Sequence, residues 1–342
     1  MNKPKKIVLF TIGNVDNASS RIRGIFYIPL FEKHGYEINW IPRVPPQPKT
    51  GFRKYFCFPV MKRFLSMQRF FHLLFSKPDV FLIQKIFVPH RLLKNAKRKG
   101  ITIIYDYDDA VFLDKNDNKA KEKLVDILKV ADKIIVSTPV LKSYTEKYNK
   151  NVEIITTPVD TAAVKQKTEF HKEDAFVIGW TGSPWTTKYL EIIKQPLKKL
   201  SESHRIKLRL VGADKSFNID GVDIEHINWS LDSENEILST FDVGIMPLTN
   251  DDYSKAKGGY KLLLYMAAGI PSVASPVGIN KEIVVEGKTG FLAENDIEWE
   301  KSIEFFIQNR QNCISFGDNS RKQAEKKYSR EICFEKLKEI VG

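Results

Sequence analysis

Short apolar runs separated by helical stretches recur along this 342-residue chain, and this alternation constrains the fold more than any single motif. Residues 7–11, 37–41, 80–84, 101–105, 133–136 and 152–155 read as strands, being short, rich in β-branched and aromatic residues, and bounded by turn formers. The stretch 21–34, closed by Gly35, reads as a helix, and Thr138-Pro139 as a helix start with proline in the first turn. Strands joined by helices imply right-handed crossovers and a parallel sheet. A polar linker at 161–174 precedes a second series, with strands at 176–180, 206–211 and 242–246 and helices at 187–201 and from Ser233. The expectation is an α/β protein of two Rossmann-like, doubly wound parallel-sheet domains, residues 1–160 and 175–318, facing each other across a cleft. Ligands of such sheets sit at the carboxyl ends of the strands. The segment 319–342 is expected to end the chain as a charged amphipathic helix with Tyr328, Ile332, Phe334 and Leu337 as its apolar positions.

Composition narrows the partners. Fifty-four Lys and Arg against forty-two Asp and Glu give a net charge of +12, which favours anions: phosphorylated small molecules, an anionic membrane face or nucleic acid. Cys57, Cys313 and Cys333 are odd in number and lack metal-ligand spacing, so reduced thiols, no structural zinc and a cytoplasmic setting are expected. The first apolar run is too short for a signal sequence, and no apolar run approaches the length of a membrane span. The six histidines form no metal pair, and neither a Walker loop nor a Gly-x-Ser-x-Gly elbow is present.

The most specific stretch runs from Lys255 to Glu282 and reads as cationic loop, helix, glycine stop, strand and second glycine turn. Lys257-Gly258-Gly259 lets backbone N–H groups approach an anion, and the helix entered near Tyr260 adds the positive end of its dipole. Lys257, Lys261 and Tyr265 recur every fourth residue and share a face if the helix extends back that far. Gly269 and Pro271 stop the helix, a short strand follows at 272–275, and Gly278, Asn280 and Glu282 form the next turn. Upstream, Thr181-Gly182-Ser183 follows the strand at 176–180, offering backbone and hydroxyl donors to a pyrophosphate, with Thr186 or Thr187 as a helix cap and Lys188 in the first helical turn. A solvated lysine face and an ordinary Gly-Ser-Pro turn are the plainer alternatives.

In the first half, Asp106, Asp108 and Asp109 end a strand, where like charges are costly to bury together and are usually kept for function. They hold an acceptor hydroxyl, or bind a metal, or stay solvated in a turn. The loop 13–24 supplies Ser19 or Ser20 as a helix cap and Arg21 and Arg23 toward a phosphate or acceptor, or toward solvent. The segment 51–75 interleaves aromatics with Arg and Lys, suiting either an anionic membrane surface or core packing. Nucleic acid is not expected, since no nucleic-acid-binding signature accompanies these aromatics.

Tyr265-Met-Ala-Ala-Gly-Ile-Pro-Ser-Val, with Glu282 after the glycine turn, resembles the donor-binding half of the large retaining GT-B glycosyltransferase family that carries two glutamates eight positions apart. Lys257 and Tyr265 stand where those glutamates would be, so neither carboxylate role carries over. The Asp106–Asp109 segment and the Ser-Ser-Arg-x-Arg loop resemble a subset of the same family. The resemblance implies metal-independent transfer of a hexose-like unit from a nucleotide diphosphate sugar to a glycan or lipid-linked acceptor, with no cofactor. It assigns Lys257, Lys261 and Lys188 to the diphosphate. Thr181, Gly182, Ser183, Gly258, Gly278, Asn280 and Glu282 go to the donor, with Tyr265 stacking on or bonding to the nucleoside. Ser20, Arg21, Arg23, Asp106 and Asp109 fall on the acceptor side, with Asp108 nearest the chemistry. The alternatives are a non-catalytic binder of the same fold and a sugar-nucleotide epimerase.

Overall fold

The computed structural model of the chain describes residues 3–46, 58–114, 117–168 and 174–342. Two units emerge, one comprising Met1–Pro158, Ala256–Gly258 and Arg330–Gly342, the other Val159–Lys255 and Gly259–Ser329.

The first unit is built on β1 (Lys6–Thr11), β2 (Glu37–Pro42), β3 (Val80–Gln84), β4 (Thr102–Tyr107), β5 (Lys133–Val136) and β6 (Val152–Ile154). They form a six-stranded sheet in the order β2-β1-β3-β4-β5-β6, parallel at every pairing. All five residues of β3 are buried, as a central parallel strand covered on both faces must be. Alternate residues feed two cores: Val8, Phe10, Phe81, Ile83 and Tyr105 on one face, Ile7, Leu9, Val80, Leu82 and Ile104 on the other. The second face is covered by Phe334, Leu337 and Val341 of the helix Arg330–Val341, and Phe334 meets Phe31 edge-on at 4.9 Å.

The second unit holds β7 (Phe176–Thr181), β8 (Ile206–Val211), β9 (Asp223–Ile227), β10 (Val243–Met246), β11 (Ser272–Ala274) and β12 (Gly290–Leu292). The order is β12-β11-β10-β7-β8-β9, again all parallel. Gly179 and Gly244 stand in central strands because a Cβ there would lie 1.9 Å from the Phe241 ring and 2.4 Å from the Tyr265 ring, respectively.

Several sequence expectations need correction. The helix expected at 21–34 is three pieces, Ala18–Arg23, a 3-10 turn Ile25–Tyr27, and Ile28–Lys33. Gly24 ends the first piece, and Pro29, lacking an N–H, is tolerated only at the start of the last. The helix expected at 187–201 starts as a 3-10 helix, Pro184–Ile193, and becomes α-helical over Lys194–Ser203. Strands β9 and β12 escaped the sequence reading because β9 carries Asp223, Glu225 and His226 among its five residues and β12 is three residues long. The terminal segment is divided: Arg310–Gln323 and the π turn Ala324–Tyr328 lie in the second unit and Arg330–Val341 in the first. Cys57, the stretch 51–57 of the basic-aromatic segment, and 169–173 of the expected linker lie outside the described residues.

Candidate functional site

Each sheet has a switch point where the winding reverses, between β1 and β3 in the first unit and between β7 and β10 in the second. Crevices at the carboxyl ends of such strands are where open α/β sheets bind ligands. The two points carry different chemistry.

In the first unit, the chain leaving β3 places Lys85 at φ 57°, the only positive-φ residue other than glycine among the described residues. A left-handed conformation costs a side-chain-bearing residue roughly 1–2 kcal/mol and points to a positional demand. The Lys85 N–H donates to the Asp106 carbonyl at 2.8 Å, and its ammonium pairs with Asp108 at 3.1 Å and with Asp109. Asp108 also accepts from the Ser19 hydroxyl at 2.7 Å. Gln84 Nε2 donates to that hydroxyl at 2.8 Å, while Gln84 Oε1 accepts from Ile12 N. Burial is the largest influence on the Asp108 carboxyl and pushes it up; Lys85, Arg23 and the Ser19 hydrogen bond outweigh it and hold the group below the usual carboxylate range. Asp108 is therefore an ionised acceptor at neutral pH.

The neighbouring residues are committed elsewhere. Arg23 donates through Nε and Nη2 to the two Asp106 oxygens, at 2.8 and 2.5 Å, and through Nη1 to the Ile155 carbonyl. Both side chains are buried, so this forked ion pair is part of the core and neither residue offers itself to an acceptor. Arg21 is also buried, with Nη1 donating to the Val15 carbonyl at 2.8 Å, which ties down the preceding loop. Neither Ser19 nor Ser20 caps the helix: Asn17 does, accepting from Ser20 N. Ser20 Oγ instead accepts from Gly13 N at 2.8 Å, closing the loop after β1. Lys85 and Gln84 were missed by the sequence reading, although their position at a strand's carboxyl end was the available signal.

In the second unit, the loop after β7 does not present open N–H groups. Thr181 N donates to the Tyr265 hydroxyl at 3.2 Å, Gly182 N to the Val211 carbonyl at 2.9 Å, and Ser183 N to Thr186 Oγ1 at 3.1 Å. Ser183 is the N-cap, in a capping box with Thr186. Tyr265 is fully buried, donates to the Ile245 carbonyl and meets Phe241 edge-on. No ring face is open to a nucleoside, so the stacking role is withdrawn; Tyr265 instead fixes the Thr181 loop. Asn280 is 1 % exposed and spends its amide on the Ser275 carbonyl at 3.0 Å, which makes it a brace of the turn rather than a donor contact. Gly278, at φ +54°, allows that turn to pass 2.4 Å from the Lys255 carbonyl as measured from a built Cβ.

The helix Tyr260–Ala267 begins at Gly259, a left-handed N-cap with no side-chain cap bond. Lys261 lies in its first turn, with its ammonium 5.2 Å from the Trp180 ring centre. Lys257 precedes the helix in the Ala256–Gly258 tripeptide, which belongs to the first unit. The expected helical face of Lys257, Lys261 and Tyr265 therefore does not form. Gly258 is demanded locally by Thr157, whose Oγ1 would lie 2.7 Å from a Cβ. Lys188 and Glu282 are exposed, and Lys188 lines a depression of about 630 Å³ with Trp185, Lys194 and Asp214.

The chain has known counterparts in fold. Across 98% of both chains it resembles sucrose-phosphate synthase from Thermosynechococcus elongatus, with a TM-score of 0.74 and 13% identity. The Anabaena protein HepE, solved with UDP and glucose, matches at 0.67 and 13% over 98% of each chain. The lipopolysaccharide outer core galactosyltransferase WaaB matches at 0.66 and 12%, over 98% of this chain and 99% of that one. No curated protein matches in sequence. Residues 175–309 match the family model described as glycosyl transferases group 1. The chain thus has the two-domain GT-B glycosyltransferase fold, and residues 175–309 of its second unit are similar to the glycosyl transferases group 1 family.

Proposed function

We propose that the protein transfers a hexose-like unit from a nucleotide diphosphate sugar to a glycan or lipid-linked acceptor, with retention and without a metal. The observation that carries this reading is the start of the helix Tyr260–Ala267, which has no side-chain cap and bears Lys261 in its first turn, within the family-matched segment. Helix N-termini favour anions, and Lys261 adds a full charge where a diphosphate would leave. As the bond from the sugar C1 to the phosphate oxygen breaks, its electron pair passes to the diphosphate, the acceptor oxygen bonds to C1, and the acceptor hydroxyl's proton passes to the departing diphosphate oxygen. Pre-placed positive charge stabilises that transition state more than the ground state. We assign the same role to Lys257 and Lys188, and outer donor contacts to Ser183 and Glu282.

Asp108 is the proposed acceptor of a hydrogen bond from the incoming hydroxyl. Freedom from metal is supported by the neutralisation of the first-unit carboxylates by the protein's own cations, Asp106 by Arg23 and Asp108 and Asp109 by Lys85. HepE's complexes with UDP and with UDP-glucose make UDP-sugars the first donors to try. The test is to incubate the full chain with UDP-, GDP- and ADP-sugars. Thermal stabilisation with slow release of nucleoside diphosphate supports a transferase. Stabilisation without release points to a binder, and interconversion of the sugar without acceptor to an epimerase.

A further inference from the structure

The first unit contains a cavity of about 760 Å³, within the range of small-molecule sites. Its wall is largely apolar, formed by Phe10 of β1 and Ile12 just after it, Ile86 and Leu92 after β3, and Phe70 and Leu73 of the 18-residue helix Phe58–Phe75. Lys85, the partner of Asp108, lines it too. The helix contains no acidic residue, and Met61, Phe64, Met67, Phe71 and Phe75 on it are exposed, which continues apolar surface outward from Phe70. Scattered exposed apolar side chains need no explanation, but a contiguous run marks a binding surface.

Charge at the cavity is unevenly settled. Of the carboxylates that line it, Asp114, Asp117 and Asp126, Asp117 pairs with Lys123 at 2.6 Å, Asp126 lies 3.4 Å from His90, and Asp114 too has a partner. Arg43 and Arg69 both line the cavity as well; burial chiefly, and the Arg43 charge as well, hold the Arg69 guanidinium below its ordinary value. Arg69 Nη1 donates to the Pro42 carbonyl at 3.0 Å, at the carboxyl end of β2, and the Arg43 backbone N–H donates to the Thr11 carbonyl at 2.7 Å, at the carboxyl end of β1. Two arginines in the wall of a largely apolar cavity suit a group with two negative charges attached to a hydrocarbon chain.

We propose that this cavity binds the acceptor, that the acceptor is a phosphate-bearing lipid, and that its hydrocarbon chain lies against Phe70 and Leu73 with its phosphate between Arg43 and Arg69. This inference rests on the transferase reading and names its acceptor class. The cavity wall at Lys85 leads to Asp108, so the end of the acceptor that carries the reacting hydroxyl has a route to that carboxylate.

Calorimetric titration of the full chain with decyl phosphate, decanol and inorganic phosphate tests this. Decyl phosphate should bind at least about tenfold more tightly than either fragment, since charged hydrogen bonds and apolar burial each contribute. Arg43→Gln and Arg69→Gln should each weaken it about tenfold, and Phe70→Ser, at an exposed position that tolerates change, about fivefold. Equal affinity in all three variants and the parent would overturn the proposal. So would capture of the chain by phosphatidylglycerol vesicles while decyl phosphate leaves it untouched, which would make the helix a bilayer-docking face instead. Stabilisation by nucleotide sugars is read in parallel: if it persists while decyl phosphate fails, only this inference falls, and if no nucleotide sugar stabilises the chain, the transferase reading itself falls.

Discussion

The two switch points use the same strand geometry for opposite purposes. Between β1 and β3, charge is buried and cancelled internally by Arg23 with Asp106 and Lys85 with Asp108 and Asp109. Between β7 and β10, the interior is aromatic, Tyr265 against Phe241, and positive charge is held at the rim by Lys261 and Lys188. A fully paired charge cluster gives a rigid acceptor for one hydrogen bond. Cations near a helix N-terminus set up a positive potential that attracts anions.

The sharpest way to break this contrast is to unpair the buried fork. Asp106→Ala should destabilise the fold by about 3–5 kcal/mol in urea unfolding, because it strands Arg23. The double replacement Arg23→Met with Asp106→Leu should recover most of that loss, and if it does not, the pair does more than neutralise itself. Next, Lys261→Ala should lower nucleotide release about 100-fold with little change in unfolding. Full turnover and donor affinity in that variant would remove the leaving-group site from this corner.

Tyr265→Phe keeps the core ring and deletes the hydroxyl that receives Thr181 N. The expected cost is about 1–3 kcal/mol in stability for an unsatisfied buried N–H, and a purely structural Tyr265 would leave donor affinity unchanged. The smallest effect concerns pH. The Asp108 carboxyl is depressed in the folded state, so its stabilisation is complete above the unfolded value of about 3.9 and is lost as pH falls through the lower folded value. Lys85→Met removes the leading cause of the depression and should move the acid limb of stability upward in pH. An unmoved limb would show that Arg23 and Ser19 suffice.

Local pattern made most of the fold legible. Ten of the twelve strands among the described residues were placed from short apolar runs and the turn residues that bound them, since a parallel strand covered on both faces leaves a dense hydrophobic signature. The site was less legible. Asp108 could be singled out from three clustered carboxylates, but which one remained unspent on Arg23 depended on where the helix after β1 packs. Lys257 was misplaced because spacing gives a face only where a helix exists, and this one begins at Gly259; Tyr265 was misplaced because its ring is buried against Phe241, which spacing does not reveal. Lys85 was overlooked because nothing in its neighbours announces a left-handed backbone.

By itself the sequence determined the two parallel sheets, the strand ends on which chemistry would sit and the basic balance that favours anionic ligands, because periodicity, turn residues and charge are local properties. Only the tertiary structure decided which cations are paired with carboxylates in the interior. A charge's partner is chosen by packing between residues distant in the chain, such as Arg23 with Asp106 or Lys85 with Asp108, and burial sets how strongly each pairing is enforced.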